Sequence, residues 1–225
     1  MYLCDVMSLY SQVKALVYKD IILEWRSKYA LNSILLYVVS TVFVCYQSFN
    51  SVDSRVWNTL FWIILLFAAI NAMNRSFFQE TSNRYLYYYS LVSPKAIILS
   101  KIIYNSMIML LLTSIAFIVY NLIFRNVIDN LFIYLLSLFL GSISFATVFT
   151  MVAGISSKAG NNSTIMAVLS FPVIIPLLIV LINLSKSAIG LGDSMENFRD
   201  ITVLIAINVI TVTISLLLFP YLWRD

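Results

Sequence analysis

A chain of 225 residues in which 61% are hydrophobic and only 11% charged, with a mean hydropathy of +0.94, lacks the polar surface that a soluble domain of this size requires. Lys and Arg number 14 against 10 Asp and Glu, for a net charge of +4, and histidine is absent. The composition excludes a soluble enzyme and describes an integral membrane protein, whose basic balance speaks of topology and lipid contact rather than nucleic acid.

Residues 1–30 contain no continuous apolar run ahead of a small-residue cleavage site, so they do not read as a cleavable signal. Val6, Leu9, Tyr10, Val13, Leu16, Val17 and Ile21 recur at helical spacing, with Asp5, Ser8, Gln12, Lys14, Lys19 and Glu24 mostly on other faces. The pattern predicts an amphipathic interfacial elbow helix that anchors the first span, with Trp25 and Tyr29 at headgroup level.

Six stretches then approach the ~20 apolar residues that carry a helix across ~30 Å of hydrocarbon. They are Leu31–Tyr46, Val56–Met73, Ile97–Leu122, Leu131–Ile155, Ser163–Asn183 and Ile201–Pro220. Their continuous apolar character predicts helices rather than alternating barrel strands, in one all-α membrane domain over residues 1–225. Lys14, Lys19, Arg26, Lys28, Arg75, Arg84, Lys95, Lys101, Lys158 and Arg224 fall on one side of these spans. The opposite side holds Arg55, Arg125, Lys186 and Arg199 against Asp53, Asp129, Asp193, Glu196 and Asp200. Basic residues near span ends stay cytoplasmic, which predicts both termini inside.

Between the second and third spans, residues 74–96 form the longest polar, aromatic interval on the basic side. Phe77, Phe78 and Tyr85 beside Glu80 and Arg84 have the make-up of a protein interface, in which aromatic anchors are ringed by charge. Tyr87, Tyr88 and Tyr89 read equally as interface and as part of the interfacial aromatic belt. Ionisable groups are essentially missing from the spans, which argues against a proton-coupled carrier. Asn71, Asn105, Ser106, Thr113, Ser114, Asn183, Asn208, Thr211, Thr213 and Ser215 supply neutral groups for bonding between helices. Ser137, Gly141, Ser144 and Thr147 make a close-packing face on the fourth span, suited to a dimer seam or to packing within one subunit.

Pro172 and Pro176 remove two hydrogen bonds one turn apart in the fifth span, as a static kink or as a hinge. Cys4 and Cys45 are assigned to opposite ends of the first span, so no disulfide between them is expected. Without histidine, and with carboxylates scattered through loops, no metal site is expected. Met107, Met109, Met151 and Met166 read as flexible apolar filler more readily than as haem ligands. The loop 184–200, with Gly190, Gly192 and three acids, reads as a solvated periplasmic connector or a contact for a periplasmic partner.

No nucleophile elbow or glycine-rich phosphate loop is present, so the chain reads as a non-enzyme and any energy spent here is spent by another chain. Gln79-Glu80, Arg84-Tyr85-Leu86-Tyr87-Tyr88-Tyr89, Ser93-Pro94 and Lys101 resemble the haem exporter protein B family, the permease subunit of the ABC transporter of cytochrome c maturation, in its Bacteroidetes form. The proline-paired run Val168–Leu178 resembles that family's fifth span, and Phe219-Pro220-Tyr221-Leu222-Trp223 resembles its ending. The resemblance implies an ABC-2-like, type V exporter-like permease with six spans, in the bacterial inner membrane. It implies a coupling surface for a cytoplasmic ABC ATPase at Phe77, Phe78, Glu80, Arg84, Tyr85, Pro94 and Lys101, and a hinge at Pro172 and Pro176. It further implies a homodimer, a haem-handling membrane subunit and a haem chaperone as partners. ATP would sit on the ATPase, and haem would be handled within the complex with no cofactor held by this chain. An ABC permease exporting a lipid, glycan or drug, and a scaffold or channel needing no ATPase, are the alternative readings.

Overall fold

The computed structural model describes residues 8–27, 29–49, 53–78, 92–124, 128–158, 163–192 and 196–222. Among them the regular structure is entirely helical: α1 (Leu9–Ser27), α2 (Tyr29–Ser48), α3 (Ser54–Phe78), α4 (Pro94–Ile123), α5 (Leu131–Lys158), α6 (Ser163–Ala188) and α7 (Glu196–Leu222). Five helices contain segments long and apolar enough to cross a membrane: Ser54–Met73, Pro94–Ile123, Leu131–Ser156, Val168–Ala188 and Glu196–Tyr221. The expected first span is α2, whose apolar part, Asn32–Ser48, is shorter. The chain is thus an all-α integral membrane protein. The helices outrun the expected spans at several ends, so the loop expected over 184–200 shrinks to the connection 189–195.

Helix α5 is the centre of the bundle, packing against α3, α4, α6 and α7. Its small-residue face explains why. An ideal Cβ on Gly141 would stand 2.6 Å from Cη2 of Trp62 on α3 and 3.2 Å from Cδ2 of Leu181 on α6. Only hydrogen leaves room for the indole, which is itself fully buried and donates from Nε1 to the Ser185 hydroxyl on α6 at 2.8 Å. The small-residue face therefore makes intramolecular packing at Gly141, Ser137 and Ser144, all three buried.

Neutral polar groups tie the same helices together, as expected where water is absent. Asn105 Nδ2 donates to Thr150 Oγ1 at 2.8 Å and Ser142 Oγ to Thr113 Oγ1 at 2.9 Å, joining α4 to α5. Asn208 on α7 accepts from Thr147 at 2.9 Å and donates to Ser144 at 2.7 Å, joining α7 to α5. Ser106, Ser114, Thr211, Thr213 and Ser215 instead donate to their own helix's carbonyls four residues back.

At the end of the bundle where α2 leads into α3 and α4 into α5, aromatic rings fill the core. Trp57 lies 5.0 Å from Tyr120 and 5.8 Å from Tyr134 between centroids, and Tyr120 lies 4.7 Å from Phe124. Such pairs contribute about 0.5–1.5 kcal/mol each beyond the area they bury. Tyr120 also donates its hydroxyl to the Trp57 carbonyl at 2.9 Å. The start of α5 is pinned to the end of α6, because the amides of Asp129 and Asn130 both donate to the Ala188 carbonyl, at 3.0 and 2.9 Å. Gly190 follows at φ 71°, a left-handed turn that glycine adopts without a Cβ penalty.

Helix α6 continues through both prolines. Pro172 and Pro176 lie exposed on its outer side with Val168, Ile175 and Ile179, while Ser170, Ile174, Leu177 and Leu181 face the core. The hydrogen bonds the prolines cannot make are therefore missing from the outward face.

Candidate functional site

The end of the bundle that carries the polar interval is built from the close of α3, the opening of α4 and the whole of α1. Helix α4 opens with a strong local signal. Ser93 has extended backbone (φ −70°, ψ 142°), its hydroxyl accepts from the Ala96 amide at 3.4 Å, and Pro94 occupies the first helical position. Proline is favoured there because its missing N–H would find no intrahelical partner and its fixed φ suits a helix. Gln12 of α1 completes the cap from outside, its Oε1 accepting from both the amide and the hydroxyl of Ser93 at 3.1 Å.

Two further contacts continue along the same seam. Asp20 Oδ2 lies 3.2 Å from Lys101 Nζ, with side-chain exposures of 5% and 6%, so the pair is withdrawn from solvent. The other oxygen, Oδ1, lies 3.1 Å from Lys19 Nζ. One turn on, Tyr104 donates its hydroxyl to Glu24 at 3.1 Å. The Gln12–Ser93 and Glu24–Tyr104 partners are separated by 81 and 80 residues. This near-constant offset means that α1 and α4 run side by side in one direction. The contact of Tyr46 with Phe124, at 5.7 Å, carries the association on to α2. At ~1.5 Å per residue, the three polar rungs span about 18 Å of α1.

The polar seam inverts the expected use of α1. Gln12 and Asp20 are buried against α4, whereas Tyr10, Tyr18 and Trp25 are 76%, 67% and 80% exposed and Ile21, Ile22 and Leu23 also face outward. An outward apolar and aromatic face suits the membrane interface. Of the stretch 1–30 expected as an elbow, the structure describes α1, whose polar side is spent on α4.

The residues expected to form the coupling surface fall in three groups. Phe77 and Phe78 end α3, with the helix continuing past the expected limit of the second span, and their side chains lie outside the described residues. Glu80, Arg84 and Tyr85 lie in the undescribed interval 79–91, as do Tyr87, Tyr88 and Tyr89. Pro94 is half-buried at the start of α4 and Lys101 is buried against α1. Sequence reasoning missed Asp20, Gln12 and Tyr104 as parts of this site. A usable signal existed: Lys101 sits beside the apolar runs 96–99 and 102–103, and a lysine so placed requires a carboxylate. Among the described residues, no group of three or more His, Cys, Asp or Glu is positioned to hold a metal.

Comparison with protein families gives a match to the model described as "CcmB protein" over residues 11–222. No curated protein matches. No solved structure matches either.

Proposed function

Because this chain belongs to the CcmB family, a membrane permease component of cytochrome c maturation, we propose that it is the subunit through which a partner ATPase drives haem delivery or release of a haem-loaded chaperone. Members of this family are inner-membrane transport proteins that work with an ABC ATPase and other maturation components. ATP is hydrolysed on the partner, and this permease converts that event into movement of its helices. It does so as a homodimer, with both termini on the cytoplasmic side, where the basic residues lie.

The observation that carries this reading is the continuity of the interval 79–91 with a braced junction. The interval leaves α3 at Phe78 and returns at Ser93, which is capped by Gln12, two turns ahead of Lys101 on its buried carboxylate. A push received at Phe77, Phe78, Glu80, Arg84 and Tyr85 acts at once on the start of α4 and, through Asp20, on α1. Lys101 then serves behind the contact surface, as a link between helices. Pro172 and Pro176 weaken the outward side of α6, which allows it to bend as α5 moves. Swinging a two-state membrane domain from 1:99 to 99:1 takes about 5.5 kcal/mol of differential binding, so one ion pair does not suffice and several coupled contacts are needed.

Glu80→Lys reverses a charge in the interval 79–91. It is expected to weaken recruitment of the ATPase or to uncouple hydrolysis from cytochrome c maturation, with the bundle's thermal stability unchanged. Assembly and maturation at wild-type levels in this variant would remove the interval from the coupling path.

A further inference from the structure

Beside the polar seam, α1 and α4 leave an open apolar groove of about 560 Å³. Its walls are Val13, Val17 and Ile21 on one side and Leu99, Ile103 and Met107 on the other, with Tyr10 and Tyr18 on the rim. Polarity is graded along it. Lys14 lines the groove near the start of α4, and Lys95 precedes Leu99, Ile103 and Met107 on the same helical stripe, at a spacing of one turn. Both lysines are exposed, and neither makes an ion pair with a described residue. Beyond them the groove is apolar as far as Met107.

We propose that this groove holds an anionic phospholipid, with its phosphate between Lys14 and Lys95 and an acyl chain along Leu99, Ile103 and Met107. The charge complementarity picks the occupant. Two cations at the mouth of an apolar groove, without a carboxylate partner among the described residues, call for an anion that carries a hydrocarbon chain, and a neutral helix from another subunit would leave both lysines unanswered. The tyrosines at the rim favour the same depth, at headgroup level. A lipid seated here touches α1 and α4 at once, alongside the seam of Gln12 and Asp20. Its binding requires no ATPase and is tested without one.

The test uses the full chain, purified in mild detergent and exchanged into nanodiscs of equal phosphatidylglycerol and phosphatidylcholine with identical acyl chains. The protein is then re-extracted and its retained lipid measured by native mass spectrometry. The wild type is expected to retain phosphatidylglycerol in preference to phosphatidylcholine. Each basic residue near an anionic lipid surface contributes about fivefold, so Lys14→Gln with Lys95→Gln should lower that preference on the order of 25-fold. Met107→Trp, which fills the chain end of the groove with both lysines intact, should lower retention too, while Lys14→Arg with Lys95→Arg should keep it. Equal retention of the two lipids by the wild type overturns the proposal without recourse to any variant. So does retention of phosphatidylglycerol by the glutamine pair, and so does the absence of bound lipid in the isolated chain, the result expected of a groove filled by a partner's helix.

Discussion

Replacing Lys101 by Met is expected to destabilise the purified chain by about 3–5 kcal/mol, because it leaves the Asp20 carboxylate buried with one ionic partner removed. Lys19 stays beside the other oxygen, but that ion pair lies within α1 and does not itself join α1 to α4. The asymmetry of buried ion pairs gives a sharper form of the prediction. Desolvating two charges nearly cancels their attraction, so the double change Asp20→Leu with Lys101→Met should regain most of the stability lost by either single change. Thermal unfolding of the four proteins in one detergent closes the cycle, and a pair of single changes that add independently would show that the two side chains do not interact. If α1 is coupled to α4 through this contact, the single variants should also lose cytochrome c maturation, while the charge exchange Asp20→Lys with Lys101→Asp restores part of it.

Gly141→Val is expected to cost about 1–3 kcal/mol through overpacking, with the upper part of that range favoured by the rigidity of what it meets. The new Cβ alone would approach Trp62 Cη2 to 2.6 Å, and the indole cannot swing aside without losing its 2.8 Å bond to Ser185. Helices α3, α5 and α6 converge at this point, so relief by backbone movement would disturb all three contacts. A second change that shortens the ring, Trp62→Leu, should recover part of the loss in Gly141→Val while being destabilising in the wild-type background. An unfolding midpoint for Gly141→Val equal to wild type would contradict the close approach of α3 to α5.

The spans were legible in the sequence because an apolar run of membrane length has few alternatives, and the helices α3 to α7 contain the expected runs with extra turns at their ends. The run expected as the first span falls on α2, whose apolar part, Asn32–Ser48, is shorter than the other five. The role of Asn105, Thr113 and Asn208 as bonds between helices was legible in kind, since a neutral polar group in hydrocarbon has few other uses. Which group each would find was not. The hydroxyls of Ser114 and Thr213 show the difficulty, because they turn back on their own helix with no mark in the sequence to distinguish them from Thr113. Gly141 was recognisable as a place of close approach, yet its neighbour Trp62 comes from a helix two elements earlier, and the same spacing suits a dimer seam.

The α1–α4 seam was the least legible part. Amphipathic spacing identified α1 but put Gln12 and Glu24 on its solvent side, because a membrane-surface helix ordinarily keeps its polar face wet. Here that face has partners some eighty residues away, and the register becomes visible only when Gln12, Asp20 and Glu24 are read against Ser93, Lys101 and Tyr104 together. No local pattern encodes such a pairing. The resemblance tied Ser93-Pro94 and Lys101 to a coupling segment, and the structure places them on the α1–α4 seam, where Lys101 is buried against Asp20.

The most direct test of an ATPase-driven permease is to purify the tagged chain from its own membrane in mild detergent and identify by mass spectrometry what accompanies it. Recovery of an ABC ATPase together with haem-handling components of cytochrome c maturation is the result expected here, with the ATPase reduced or lost in Glu80→Lys. A preparation of intact, folded chain that brings down no ATPase would contradict the account.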